Sequence, residues 1–85
     1  MTMAKTVNLL KVYRRELITT LNKNDIEAFK GHYKRWSNYL PPILNAKVFE
    51  VTFYKTMYKE RAVYPKLRKQ AKQWLIDNGY NPNIN

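Results

Sequence analysis

The sequence predicts a small all-α domain of three or four helices, and three observations support this prediction. Apolar side chains recur at steps of three and four along several segments, which is the periodicity of a helix face. Two long stretches, residues 4–22 and 46–63, contain neither Gly nor Pro. The breaks between the segments are rich in Asn, Asp and Pro, which favour caps and turns. An α+β fold with a short strand near 47–55 is the alternative.

The first helix is predicted over residues 4–22, and Thr2 or Thr6 is a candidate for the cap at its start. Its apolar stripe consists of Val7, Leu10, Tyr13, Leu17 and Leu21. These positions follow one another at the helical spacing of three or four residues. The polar sequence NKND at 22–25 then predicts a break.

The second helix is predicted to start at Asn24 or Asp25, with Asp25 and Glu27 near the positive end of the helix dipole. Its apolar stripe consists of Ile26, Phe29, Tyr33, Trp36 and Leu40. The aromatic members of this stripe are interpreted as core residues. The proline pair at 41–42 must end the helix, because a residue before proline is pushed out of the helical region.

The third segment, residues 46–63, fits two periodicities. Phe49, Val51 and Phe53 alternate as on a strand, whereas Phe49, Phe53 and Met57 repeat as on a helix. A helix is favoured, because the segment lacks Gly and Pro and the chain offers no second clear strand to pair with it. Asn45 is the predicted cap of this helix.

The last helix is predicted to begin at Pro65, a favoured first helical position, and Gly79 is expected to cap its C-terminus. Its apolar face is formed by Leu67, Ala71, Trp74, Leu75 and Asn78. Residues 1–85 are thus interpreted as a single helical domain, with residues 81–85 as a frayed tail. We expect one core, which contains Leu10, Leu17, Phe29, Tyr33, Trp36, Leu67 and Trp74.

The composition is strongly basic. The chain has 16 Lys and Arg residues against 6 Asp and Glu, which gives a formal net charge of +10 and a pI near 10.0. Such a charge favours polyanionic partners, although a solubilising surface would also account for it. The chain has no cysteine and no apolar run long enough to span a membrane. We therefore expect a cytoplasmic protein without membrane contact.

The residue inventory argues against an enzyme. His32 is the single histidine and no cysteine accompanies it, so neither a metal site nor a His-based catalytic arrangement is predicted. Ser37 lies five residues from His32, which places their side chains about 140° apart on a helix. The two glycines, Gly31 and Gly79, are too far apart for a phosphate-binding loop, and no cofactor is predicted.

The last predicted helix carries the densest cluster of bases, Lys66, Arg68, Lys69 and Lys72. Lys69 lies three residues from both Lys66 and Lys72, so these three lysines form one row, and Arg68 pairs with Lys72 at a spacing of four. Like charges so placed repel each other, and a polyanionic partner would reverse this cost. A candidate second strip in the first helix consists of Lys11, Arg14 and Arg15, partly offset by Glu16.

One short segment resembles a known signature. The sequence VYRREL at 12–17 resembles the Leu-Tyr-Arg signature of small helical mitochondrial assembly factors, which are also basic. The resemblance covers six residues, and Val12 stands where the signature has leucine. It assigns no family.

Three functions without catalysis remain open. The favoured hypothesis is a module that binds DNA or RNA phosphates through the two basic helix faces, and the turn at 60–65 permits a helix-turn-helix arrangement. The alternative is a protein-binding module, an inhibitor or adaptor that docks on an acidic surface of a larger partner. Exposed tyrosines would favour it, and the candidates are Tyr39, Tyr54, Tyr58, Tyr64 and Tyr80. The third is a structural subunit of a large assembly. The oligomeric state is left open.

Overall fold

The computed structural model contains four α-helices and no strand within residues 2–43 and 45–83, the part of the chain that it describes, with side chains from residue 8 onward. The helices are α1 Thr2–Asn22, α2 Ile26–Arg35, α3 Ala46–Lys59 and α4 Pro65–Asp77. The all-α prediction is confirmed, and the strand alternative at 47–55 is wrong because these residues lie inside α3. None of the described helices is long and apolar enough to traverse a bilayer.

Tertiary contacts divide the chain into two compact units, Met1–Leu40 and Pro41–Asn85. The first unit contains α1 and α2, and the second contains α3 and α4. Each unit is a helical hairpin with its own buried residues. The single domain over residues 1–85 stays a prediction.

In the first unit, a short break turns the chain from α1 into α2. Asn24 adopts a positive φ of 52°, a left-handed conformation that Asn tolerates better than most residues. Asp25 then caps α2, because its Oδ1 accepts a hydrogen bond from the Glu27 backbone N–H at 2.9 Å. The predicted break and cap are confirmed. The capping role of Thr2 or Thr6 lies outside the described side chains.

Among the described side chains of the first unit, the buried ones lie where the two helices overlap, and they are Leu17, Thr20, Leu21, Phe29 and His32. Leu10 is 62% exposed, so its assignment to the core is wrong. The reason is a mismatch in length. At 1.5 Å per residue, the 21 residues of α1 span about 31 Å and the 10 residues of α2 about 15 Å. The N-terminal half of α1 therefore extends beyond α2.

The helix α2 ends at Arg35, five residues before the predicted end of its apolar stripe at Leu40. Beyond it, i→i+3 hydrogen bonds replace the helical ones, with Tyr39 N–H donating to Trp36 O at 2.9 Å. A longer helix would require backbone N–H donors that residues 41 and 42, both proline, lack. Trp36, which follows the last residue of α2, and Tyr33 inside α2 are half-buried, so their assignment to the core is wrong.

In the second unit, Asn45 caps α3 as predicted, with its Oδ1 accepting from the Val48 N–H at 2.9 Å. The residues that α3, α4 and the following turns bury are Phe53, Met57, Val63, Ala71, Leu75 and Pro82. Leu67 and Trp74, which the sequence placed in the core, are half-buried. They flank a face of α4 whose centre is formed by Ala71 and Leu75.

The boundaries of α4 agree with the sequence prediction. Pro65 is its first residue, and Gly79 follows the last turn with a φ of 81°. Gly79 N–H donates to Ile76 O at 3.1 Å and Tyr80 N–H donates to Leu75 O at 2.8 Å. This pair of bonds is the Schellman arrangement, in which a left-handed glycine ends the helix. In the tail, Asn83 N–H bonds Asn81 Oδ1 at 2.9 Å, and residues 84–85 lie outside the described part.

Candidate functional site

The exposed face of α4 holds three of the predicted anion-binding residues. Lys66, Lys69 and Lys72 are exposed, whereas Ala71 and Leu75 on the opposite face are fully buried. Within the described residues, no carboxylate forms an ion pair with any of the three lysines. Steps of three residues at 1.5 Å each place the row over about 9 Å of helix. The result is a short cationic row that faces solvent.

Arg68 differs from the lysines of the α4 row. It is half-buried, and its Nε donates a hydrogen bond to the Tyr58 backbone oxygen at 3.1 Å. Tyr58 lies in the last turn of α3, where backbone carbonyls commonly lack helical partners. Arg68 therefore joins the two helices of its unit, a structural role that sequence spacing did not indicate.

The second predicted strip lies on α1 in the first unit. Lys11, Arg14 and Arg15 are exposed, and together with Ile18 and Thr19 they line an open depression of about 390 Å³. The three bases fall on one side of the helix, because Lys11 is three residues from Arg14 and four from Arg15 and so lies between them around the helix. The structure thus places the three bases of the predicted strip around one depression. The α4 row belongs to the other unit.

The carboxylate of Glu16 does not pair with the bases of the α1 strip, as the sequence suggested. It accepts hydrogen bonds from three side chains near the end of α2. Its Oε1 accepts hydrogen bonds from His32 Nδ1 at 3.1 Å, Arg35 Nε at 2.9 Å and Trp36 Nε1 at 3.3 Å, and Arg35 Nη2 is a further donor. The hydrogen bond from Arg35 is the main cause that lowers the pKa of Glu16, and partial burial opposes it. Glu16 is therefore a carboxylate at neutral pH.

His32 is fully buried beside this carboxylate. The ring centroid of Tyr13 lies 5.2 Å away and those of Phe29 and Trp36 lie 6.4 Å away. Its Nε2 makes no hydrogen bond within the described structure. A histidine paired with a carboxylate could act as a base, but this Nε2 is enclosed where no substrate reaches it. Within the described residues, no group of three or more His, Cys, Asp and Glu side chains could hold a metal ion.

Sequence reasoning missed an apolar groove in the first unit. The groove has a volume of about 330 Å³ and is lined by Leu9, Leu10, Tyr13, Trp36, Tyr39 and Leu40. Leu10 and Tyr39 are 62% and 71% exposed. The periodicity marked several of these residues as apolar, but it assigned them to a core. The groove exists because α2 ends before it reaches them.

The tyrosines of the second unit are less exposed than the protein-binding hypothesis required. Tyr54, Tyr58 and Tyr80 are half-buried, whereas Tyr64 is exposed. The ring of Tyr54 stacks on Trp74 with centroids 4.2 Å apart and an interplanar angle of 17°. This contact covers one face of the indole and leaves less aromatic surface for a stacked base.

Comparison with known proteins adds no further constraint. No family model matches the chain, and neither a curated protein nor a solved structure matches it. The resemblance at 12–17 has no support from a family match. Function is therefore inferred from the two basic faces and the apolar groove.

Proposed function

We propose that the protein binds nucleic-acid phosphates through the exposed row of Lys66, Lys69 and Lys72 on α4. The observation that carries the proposal is this row of three lysines, which no described carboxylate neutralises. Lys ammonium groups bind phosphate as point charges and release counterions from the nucleic acid. The α1 strip of Lys11, Arg14 and Arg15 is a second contact surface for the same kind of partner.

The geometry favours contact with the phosphate backbone over reading of base edges. A row of about 9 Å matches two or three phosphates of one strand, whose axial spacing is about 3.4 Å. The side chains in the row are all lysines, which carry no fixed donor pattern for a particular base. We therefore expect binding with weak sequence preference. A recognition-helix role for α4, after the turn at 60–64, stays a prediction.

In this proposal the protein acts by binding and catalyses no reaction. The one imidazole of the chain is buried and held by Glu16, which supports a structural role for His32. The runner-up function uses the same bases on an acidic protein surface, where they would speed association by electrostatic steering. The two functions differ in the polyanion that the bases select, so a direct binding assay separates them.

The decisive experiment measures binding of fluorescent duplex DNA, duplex RNA and single-stranded DNA by anisotropy between about 50 and 200 mM salt. On duplex DNA, each phosphate contact adds close to 0.9 to the slope of log affinity against log salt. The double variant Lys69→Glu/Lys72→Glu should therefore reduce the slope by about 1.8 and weaken binding to all sequences alike. The matched control is Lys30→Glu/Lys34→Glu, which makes the same charge change on exposed residues of α2.

Two results would refute the proposal. If the wild-type protein shows no salt-sensitive binding at low ionic strength, nucleic acid is not the partner and the acidic-surface function takes its place. If the two double variants weaken binding equally, net charge rather than the α4 row governs affinity, and the assigned face is wrong.

A further inference from the structure

The two basic faces of the chain belong to different units. Lys11 and Arg15 of the α1 strip line the depression of the first unit, and the row of Lys66, Lys69 and Lys72 lies on α4 in the second. All five side chains are exposed. Within the described part of the chain, neither Lys11 nor Arg15 forms an ion pair. The chain therefore carries two separate surfaces with the same chemistry.

Each face is a weak site when it acts alone. An exposed ion pair contributes little by itself, because water and salt screen the two charges. The α4 row offers only three ammonium groups to phosphate. The affinity for nucleic acid grows with the number of phosphates that are neutralised, because each contact releases counterions. Either face thus gains from the other when both contact the same strand.

The connection between the units favours contact with one strand over contact with two. Residues 36–45 join α2 to α3, and at up to about 3.6 Å per residue this connection cannot exceed about 40 Å. When one face holds a long strand, the other face meets the same strand at an effective concentration in roughly the millimolar range. A second strand at micromolar concentration competes poorly with it. A flexible single strand can reach both faces, whereas a mononucleotide contacts one face at a time.

We propose that the α1 strip and the α4 row bind one flexible nucleic-acid strand at the same time. The proposal rests on the phosphate binding proposed above and adds that each face depends on the other for its affinity. The ligand is therefore a single-stranded polynucleotide, and a mononucleotide is a poor ligand. Neither unit binds this ligand well when the basic face of the other is removed.

The experiment measures binding of a fluorescent single strand of about 30 nucleotides by anisotropy at low ionic strength. Lys11→Glu/Arg15→Glu reverses the charge of two bases of the α1 strip, and Lys69→Glu/Lys72→Glu does the same on the α4 row. We expect each variant to bind about tenfold or more weakly than a matched control.

The matched control is Lys30→Glu/Lys34→Glu, which makes the same change in net charge on exposed residues of α2. If the two faces bound the strand separately, their association constants would add, and removal of one face would leave the other. At most one of the two variants could then lose more than half of the affinity, however unequal the faces are. A large loss in both variants therefore identifies simultaneous binding, and a loss of about twofold or less in either one overturns it.

Failure of simultaneous binding is distinguishable from failure of phosphate binding. If Lys69→Glu/Lys72→Glu alone weakens binding relative to the control, the α4 row binds phosphate by itself and only the second proposal is wrong. If the wild type shows no salt-sensitive binding, both proposals are wrong. Gln at the same positions repeats the comparison for any Glu variant that does not fold, because Gln matches the helix propensity of Lys and Arg. The Gln variants should show the same pattern with smaller losses.

Discussion

Replacement of Glu16 by Ala should destabilise the first unit, because one carboxylate oxygen is the acceptor for three side chains of the segment 32–36. His32 Nδ1, Arg35 Nε and Trp36 Nε1 all donate to Glu16 Oε1. Alanine removes this acceptor and leaves the imidazole buried without it. The interaction connects the middle of α1 to the end of α2, so its loss affects the hairpin as a whole.

The expected cost follows from the burial of each partner. Leaving a buried His32 nitrogen without its partner costs about 1–3 kcal/mol. The Arg35 ion pair contributes less than about 1 kcal/mol, because its side chains are 60% and 30% exposed and water screens them. Trp36 is half-buried with a long bond of 3.3 Å, so water replaces much of that contact. The better helix propensity of Ala offsets a few tenths of a kcal/mol, roughly. The total is about 1–3 kcal/mol.

The assay is urea denaturation followed by far-UV circular dichroism, with the free energy of unfolding compared between variants. Glu16→Gln should lose about half as much as Glu16→Ala, because its amide oxygen still accepts from His32. The control is Glu50→Ala, which removes an exposed ion pair with Lys47 at 3.6 Å and should cost less than about 1 kcal/mol. If Glu16→Ala costs no more than Glu50→Ala, the Glu16 contacts do not hold the hairpin together.

Two further predictions concern acid sensitivity and the end of α4. Because Arg35 lowers the pKa of Glu16 below its ordinary value of 4.5, this group stabilises the fold fully above that value and loses its contribution as the pH falls through the lowered pKa. The difference in unfolding free energy between the wild type and Glu16→Gln should therefore shrink in acid, and a constant difference would contradict the assignment. Gly79→Ala should cost about 1–2 kcal/mol, because an L side chain is disfavoured at its φ of 81°. No atom lies within 4 Å of an added Cβ, so the cost comes from the backbone and not from a clash. Gly31→Ala, inside α2 with its nearest such atom at 3.8 Å, should instead be neutral or stabilising by thermal denaturation, and equal losses at both glycines would refute the backbone explanation.

The helices could be predicted from the sequence because their signals are local. Asp25 and Asn45 cap α2 and α3, Pro65 opens α4 and Gly79 closes it. Each of these residues acts on backbone groups within a few positions of itself, so its role is visible in a short window of sequence. The absence of Gly and Pro over 46–63 favours a helix on similar grounds, and α3 occupies Ala46–Lys59 of this segment.

What covers each helix face could not be predicted in the same way. Periodicity identifies the apolar side of α1, but the exposure of Leu10 depends on the length of α2 and its register against α1. The contact between Glu16 and His32 joins residues sixteen positions apart and has no local signature. The helical spacing of Lys66, Lys69 and Lys72 is visible in the sequence, and all three are exposed, whereas the contact of Arg68 with Tyr58 depends on how α4 packs against α3.

The two tryptophans of the chain fall one in each unit, and this division has a spectroscopic consequence. Trp36 bonds Glu16 through its indole N–H in the first unit, and Trp74 stacks on Tyr54 in the second. The tryptophan emission of a Trp36→Phe chain would come from the second unit alone, and that of a Trp74→Phe chain from the first alone. Coincident fluorescence transitions of the two would show that the units melt cooperatively, and separate transitions would show that each hairpin melts independently. The chain thus carries an intrinsic reporter for each of its halves.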